Sequence, residues 1–140
     1  MPLRRVRENT GALLHEIVHI YAPNTNRFLV EGLAVYLHTK LASNPAFPNF
    51  GGDLRRLAVR GLSGVESLDV LNSVRTPRPL GTVMEEKTAY ILAGSFVGFL
   101  IEQEGLALFR RVYETGNYEK VYGKPLRTLE AAWRVSLREH

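Results

Sequence analysis

Apolar residues recur along most of the chain at intervals of three and four, the spacing that lines one face of an α-helix, and no apolar–polar alternation runs long enough to specify a strand. A first helix is predicted over residues 11–21, "ALLHEIVHIY". Asn9 or Thr10 can cap it, and it must stop before Pro23, because the residue ahead of a proline is pushed out of the helical region. After the polar turn "APNTN" a second helix is predicted over 27–42, with Phe28, Leu29, Leu33, Tyr36, Leu37 and Leu41 at helical spacing. The stretch "SNPAFPNFGG" reads as a loop, and a short helix at "DLRRLAV" can be capped by Asp53. Between Gly61 and Val83 the pattern is weak: "VESLDVL" fits a helical turn or a short strand, and "TPRPLG" is irregular.

The strongest helical signal covers 85–104, "EEKTAYILAGSFVGFLIEQE", with acidic residues in its first turn, where the helix dipole favours them, and Gly105 as a C-cap. Its small residues Ala93, Gly94, Ser95 and Gly98 predict close packing on another helix. Two more helices follow: "LALFRRVYET", stopped by Gly116, and "LRTLEAAWRVSLRE", with Leu129, Trp133 and Leu137 on one face and Trp133 expected in the core. The expected fold is mainly α, with little or no β-sheet, in one domain over 1–140 that has a basic lead-in at 1–9.

Composition narrows the function classes. With 140 residues, 45% apolar and 23% charged, the chain can bury a core of ordinary globular proportions. The net charge of +4 is spread along the chain, and its densest cluster, Arg4, Arg5 and Arg7, lacks the interleaved aromatics of a base-stacking platform, so no nucleic-acid partner is expected. The longest apolar run, "AYILAGSFVGFLI", has 13 residues and is too short to span a membrane. The basic N-terminus lacks the apolar run of a signal peptide; localisation stays open, with the cytoplasm favoured. There is no cysteine, so any metal would have to be held by His, Asp or Glu.

The first predicted helix carries that chemistry. Residues four apart share a helix face, so His15 and His19 can present two imidazole nitrogens to one metal ion. Glu16 lies about 100° round the helix and can reach a metal-bound water as general base, the HExxH arrangement. A catalytic zinc takes a third protein ligand and keeps one position open. Glu31, in the first turns of the next helix after a short turn, can face the histidine pair.

"HEIVH" followed by "FLVEGLAVY" resembles the gluzincin group of zinc metallopeptidases, in particular the peptidase MA-like domains, in which an EGLA-type motif supplies the third ligand. The resemblance runs from residue 10 to the end of the chain. It implies a zincin-like helical metallopeptidase domain that binds Zn2+ through His15, His19 and Glu31, uses Glu16 as base, and cleaves a peptide or protein substrate. In the aminopeptidase N family the tyrosine that stabilises the oxyanion opens a helix reading Y-x-x-G and then an apolar stretch ending in L-x-E. "AYILAGSFVGFLIEQEG" is similar, which implies Tyr90 for that role.

Other readings stand beside these. Tyr90 can also be core packing, with Tyr21, Tyr36 and Tyr113 competing for its role, and His38 fits a partner behind the ligands, a spare ligand, or an exposed residue near a helix end. The family's upstream mixed sheet, whose edge holds the peptide, is expected to lie outside this chain, because residues 1–9 are basic and polar. The chain is then a fragment or shortened form of a larger enzyme, or a minimal domain with an open cleft. A missing upstream domain or a second copy would cover its apolar helix faces. The alternative is a non-catalytic metal-binding or protein-interaction domain derived from a metallopeptidase.

Overall fold

The structure, a computed structural model, describes residues 26–41, 53–62, 67–76 and 78–139. The predicted helix over 11–21, with His15, Glu16, His19 and Tyr21, and the predicted loop over 43–52 lie outside the described residues. Those described form seven α-helices: α1 (Arg27–Leu41), α2 (Leu54–Gly61), α3 (Asp69–Asn72), α4 (Glu86–Glu104), α5 (Leu106–Thr115), α6 (Tyr118–Tyr122) and α7 (Leu126–Arg138). A 3-10 turn, Leu80–Thr82, precedes α4. Among the described residues the only β pairing is one isolated antiparallel bridge, Asn26 with Arg75. The expected mainly helical character is therefore what is found, and of "VESLDVL" the described residues, 67–71, form a turn at Leu68 that runs into the short helix α3.

Helix α4 is apolar on nearly every side, and a helix of that kind has to be surrounded. It packs most extensively on α1 and also touches α2, α5, α7 and the 3-10 turn. From α1, Phe28, Leu29 and Leu33 are fully buried. Phe28 stacks on Phe96 at 5.7 Å between ring centroids, and Phe96 meets Trp133 of α7 edge to face at 5.6 Å. Trp133 is buried as expected, and its indole N–H donates to Ser95 Oγ at 3.0 Å, so the one polar atom of the ring is satisfied.

Contacts between α1 and α4 advance in the same direction along both, so the two helices run parallel. Their close approach rests on glycine. A Cβ on Gly32 would sit 2.5 Å from Val97 Cγ2 and 2.6 Å from the Ala93 carbonyl oxygen. One on Gly94 would lie 2.7 Å from Val35 Cβ, and one on Gly98 would lie 2.7 Å from Tyr36 Cδ1. Two of the small residues singled out on α4 thus admit α1, and Ser95 admits Trp133.

The helix ends follow local rules, with one addition from tertiary contacts. Asp53 accepts from Arg55 N–H at 3.0 Å as the expected cap of α2. Gly116 closes α5 in the left-handed conformation, φ 70°, its N–H donating to the Val112 carbonyl at 2.7 Å. Asn26 caps α1 by accepting from Leu29 N–H at 3.1 Å, and its amide donates to Asn72 Oδ1, which also receives the Tyr118 hydroxyl at 3.0 Å. The start of α1 is therefore tied to the end of α3 and to α6. On α7, buried Glu130 accepts from Leu68 N–H at 2.9 Å and pairs with Arg134 at 2.8 Å, which anchors the loop ahead of α3.

Candidate active site

Glu31 is the fifth residue of α1 and Tyr90 the fifth of α4, and the parallel packing of the two helices sets them face to face. The Tyr90 hydroxyl donates to the Glu31 carboxylate. The glycine after Glu31 makes this reach short, since a side chain at position 32 would drive against the α4 backbone. The EG pair of "VEGLA" thus has a mechanical reading: Glu31 carries the charge, and Gly32 lets the facing helix come close enough to touch it.

Arg27 completes the cluster. Its Nη2 lies 3.4 Å from Glu31 Oε1, one helical turn back, with side-chain exposures of 26% for the arginine and 19% for the glutamate. Glu31 therefore receives a hydroxyl from α4 and a guanidinium from its own helix. Burial raises the Tyr90 pKa first. The hydrogen bond to Glu31 and the negative charges of Glu31 and Glu86 add to this, while Arg27 works the other way. The net effect pushes the phenol up to about 12, so the hydroxyl keeps its proton throughout the neutral range.

The two competing tyrosines among the described residues lie elsewhere. Tyr36 donates to Glu102 Oε2 at 3.2 Å near the far end of the same helix pair, and Tyr113 is buried in the core. His38 sits in the last turn of α1, half-buried. A cavity of about 400 Å³ between α1, α2, α4 and α7 is lined by Tyr36, Lys40, Arg55, Glu102 and Trp133 among others, but by neither Glu31 nor Tyr90. Its polar groups largely satisfy one another: Tyr36 and Lys40 bind Glu102, and Arg55 donates to the Ser136 carbonyl.

Of the three expected metal ligands, Glu31 alone falls within the described residues, and among these no group of three His, Asp or Glu side chains is placed to hold a metal ion. The chemistry of Glu31 fits one member of such a set: it is a half-buried carboxylate whose orientation is fixed by an outer hydroxyl, the support a ligating carboxylate takes. The sequence reading missed Arg27 and Glu86. The signal for Arg27 was available in its spacing of four from Glu31, and that for Glu86 in its spacing of four from Tyr90. No helix among the described residues is long and apolar enough to cross a membrane. Comparison with protein families, with curated proteins and with solved structures found no match to this chain.

Proposed function

We propose that this chain is a zincin-like, zinc-dependent metallopeptidase of the gluzincin type that hydrolyses peptide bonds in a peptide or protein substrate. The observation that supports the reading is the contact between Tyr90 and Glu31. The two were singled out for separate reasons, one in an EGLA-type motif and the other in a Y-x-x-G helix, and a chance pair of residues has no reason to meet.

His15, His19 and Glu31 would hold the zinc, which when bound polarises the scissile carbonyl and acidifies a water molecule. Glu16 takes the proton from the attacking water on its carboxylate and returns it to the leaving amine. Tyr90, kept protonated, can turn its hydroxyl from Glu31 to the oxygen on which negative charge develops. The buried face of α1 and its glycine contact with α4 keep Glu31 from drifting, so that orientation is in place before substrate arrives.

The test is zinc content and hydrolysis of an unfolded protein substrate by the wild type, Glu16→Gln and Glu31→Ala. The reading expects about one zinc per chain in the wild type and in Glu16→Gln, much less in Glu31→Ala, and hydrolysis by the wild type alone. A wild type that binds no zinc sinks it. One observation favours a second reading, a non-catalytic domain: Arg27 already balances the charge of Glu31, so the cluster is satisfied without a metal. Absence of hydrolysis, with zinc bound or without it, would select that reading.

A further inference from the structure

Arg27 is placed against two local preferences. It opens α1, where the positive end of the helix dipole disfavours a cation, and no acidic residue in that first turn offsets it. It also precedes its partner, and a cation four residues ahead of an anion is the weaker order for a helical ion pair. A third cost is local: Arg27 Nε is buried and finds no hydrogen-bond partner among the described residues. What this placement gains is the Glu31 carboxylate, in a setting more enclosed than the exposed Arg110 and Glu114 pair on α5, whose side chains are 45% and 56% exposed. Local rules broken together around one carboxylate mark a position kept for something other than helix stability.

We propose that Arg27 is a built-in competitor for the third metal ligand: its guanidinium holds Glu31 in the metal-free protein and has to release it when a divalent cation binds. This rests on the reading of Glu31 as a ligand. In the metal-free state the guanidinium and the Tyr90 hydroxyl together satisfy the carboxylate, so the half-buried charge is not left alone. A divalent cation brings two further positive charges to the same carboxylate. In a half-buried setting the guanidinium is then repelled, and it swings outward on its flexible stem. The exchange needs no backbone movement, because the Arg27 N–H stays on the Val74 carbonyl at 3.1 Å and Asn26 keeps its cap. Arg27 thereby lowers the affinity for metal and protects the empty ligand.

The experiment measures zinc affinity of the metal-free full chain by competition with a chromophoric chelator, for the wild type, Arg27→Gln and Arg27→Lys, alongside thermal unfolding of each with and without zinc. Removing the charge should tighten zinc binding by about tenfold or more, while keeping it in Arg27→Lys should leave affinity within about threefold of wild type. Metal-free Arg27→Gln should unfold at a lower temperature than metal-free wild type, and zinc should abolish that difference. If Arg27→Gln does not fold, Arg27→Met, which keeps the apolar stem, takes its place with the same expectation. Unchanged or weaker binding in the uncharged variant overturns the competitor role and leaves Glu31 a ligand. Absence of zinc binding in every form removes the reading of Glu31 itself, and this proposal with it.

Discussion

Tyr36 of α1 donates its hydroxyl to Glu102 of α4 at 3.2 Å, and this contact repeats, with the helices exchanging roles, the one that Tyr90 of α4 makes with Glu31 of α1. Each helix gives one phenol and one carboxylate, and each carboxylate also has a cation, Lys40 at one end and Arg27 at the other. Enclosure separates the two ends. Lys40 and Glu102 are 50% and 49% exposed, which leaves that pair screened by water, whereas the Glu31 end is shielded enough for charge to matter.

Gly32→Ala should destabilise the protein by about 1–3 kcal/mol, because the new methyl meets the Ala93 carbonyl oxygen, a backbone atom that cannot swing away. Urea denaturation measures this. The same variant should draw Tyr90 away from Glu31 and bring the tyrosinate titration back toward the ordinary value, and an unshifted titration would mean that the glycine does not set the contact.

Tyr90 holds its proton more tightly folded than unfolded, so the sign of its linkage is fixed: its contribution is complete below about pH 10 and is lost as pH rises through about 12. Burial likewise raises Tyr36, Tyr118 and Tyr122, so these three contribute to the wild-type slope beside Tyr90. Tyr90→Phe should flatten it, and should cost about 1 kcal/mol at neutral pH for the lost hydrogen bond. Under the proposed mechanism it also lowers hydrolysis by about 10²-fold with zinc content unchanged.

Glu130 and Glu114 are each paired with an arginine four residues away, Arg134 and Arg110, yet they should respond differently to truncation. Glu130 is 5% exposed and also accepts from Leu68 N–H, so Glu130→Ala strands a buried donor and should cost about 2–4 kcal/mol. Glu114→Ala should cost about 0.5 kcal/mol or less, because its pair lies in water. Chemical denaturation of the two variants decides whether burial or spacing governs these pairs.

The long helices were legible because periodicity and end signals agree there. The stretch expected over 85–104 is Glu86–Glu104, that over 27–42 is Arg27–Leu41, and the stops at Gly105 and Gly116 stand where expected. Helix α6 was not expected, because a helix of five residues gives periodicity too little length, and Asn117, which caps it, reads equally well as a turn residue. Within the candidate site, Glu31 and Tyr90 were legible through motifs. Their contact was not, since it depends on the direction of α1 relative to α4, which no local pattern encodes. Arg27 went unnoticed because helix-start rules favour acidic residues at such positions, and a reading built on those rules treats an arginine there as neutral surface.

The glycine seam also says what would be needed to transplant this carboxylate into another scaffold. A graft of "VEGLA" alone would present a glutamate on a helix with no fixed neighbour. Gly32 has meaning only against Ala93 and Val97, and Gly94 and Gly98 only against Val35 and Tyr36. The smallest portable unit is therefore a pair of parallel helices distant in sequence, and inserting or deleting one residue in either would rotate phenol and carboxylate apart by about 100°.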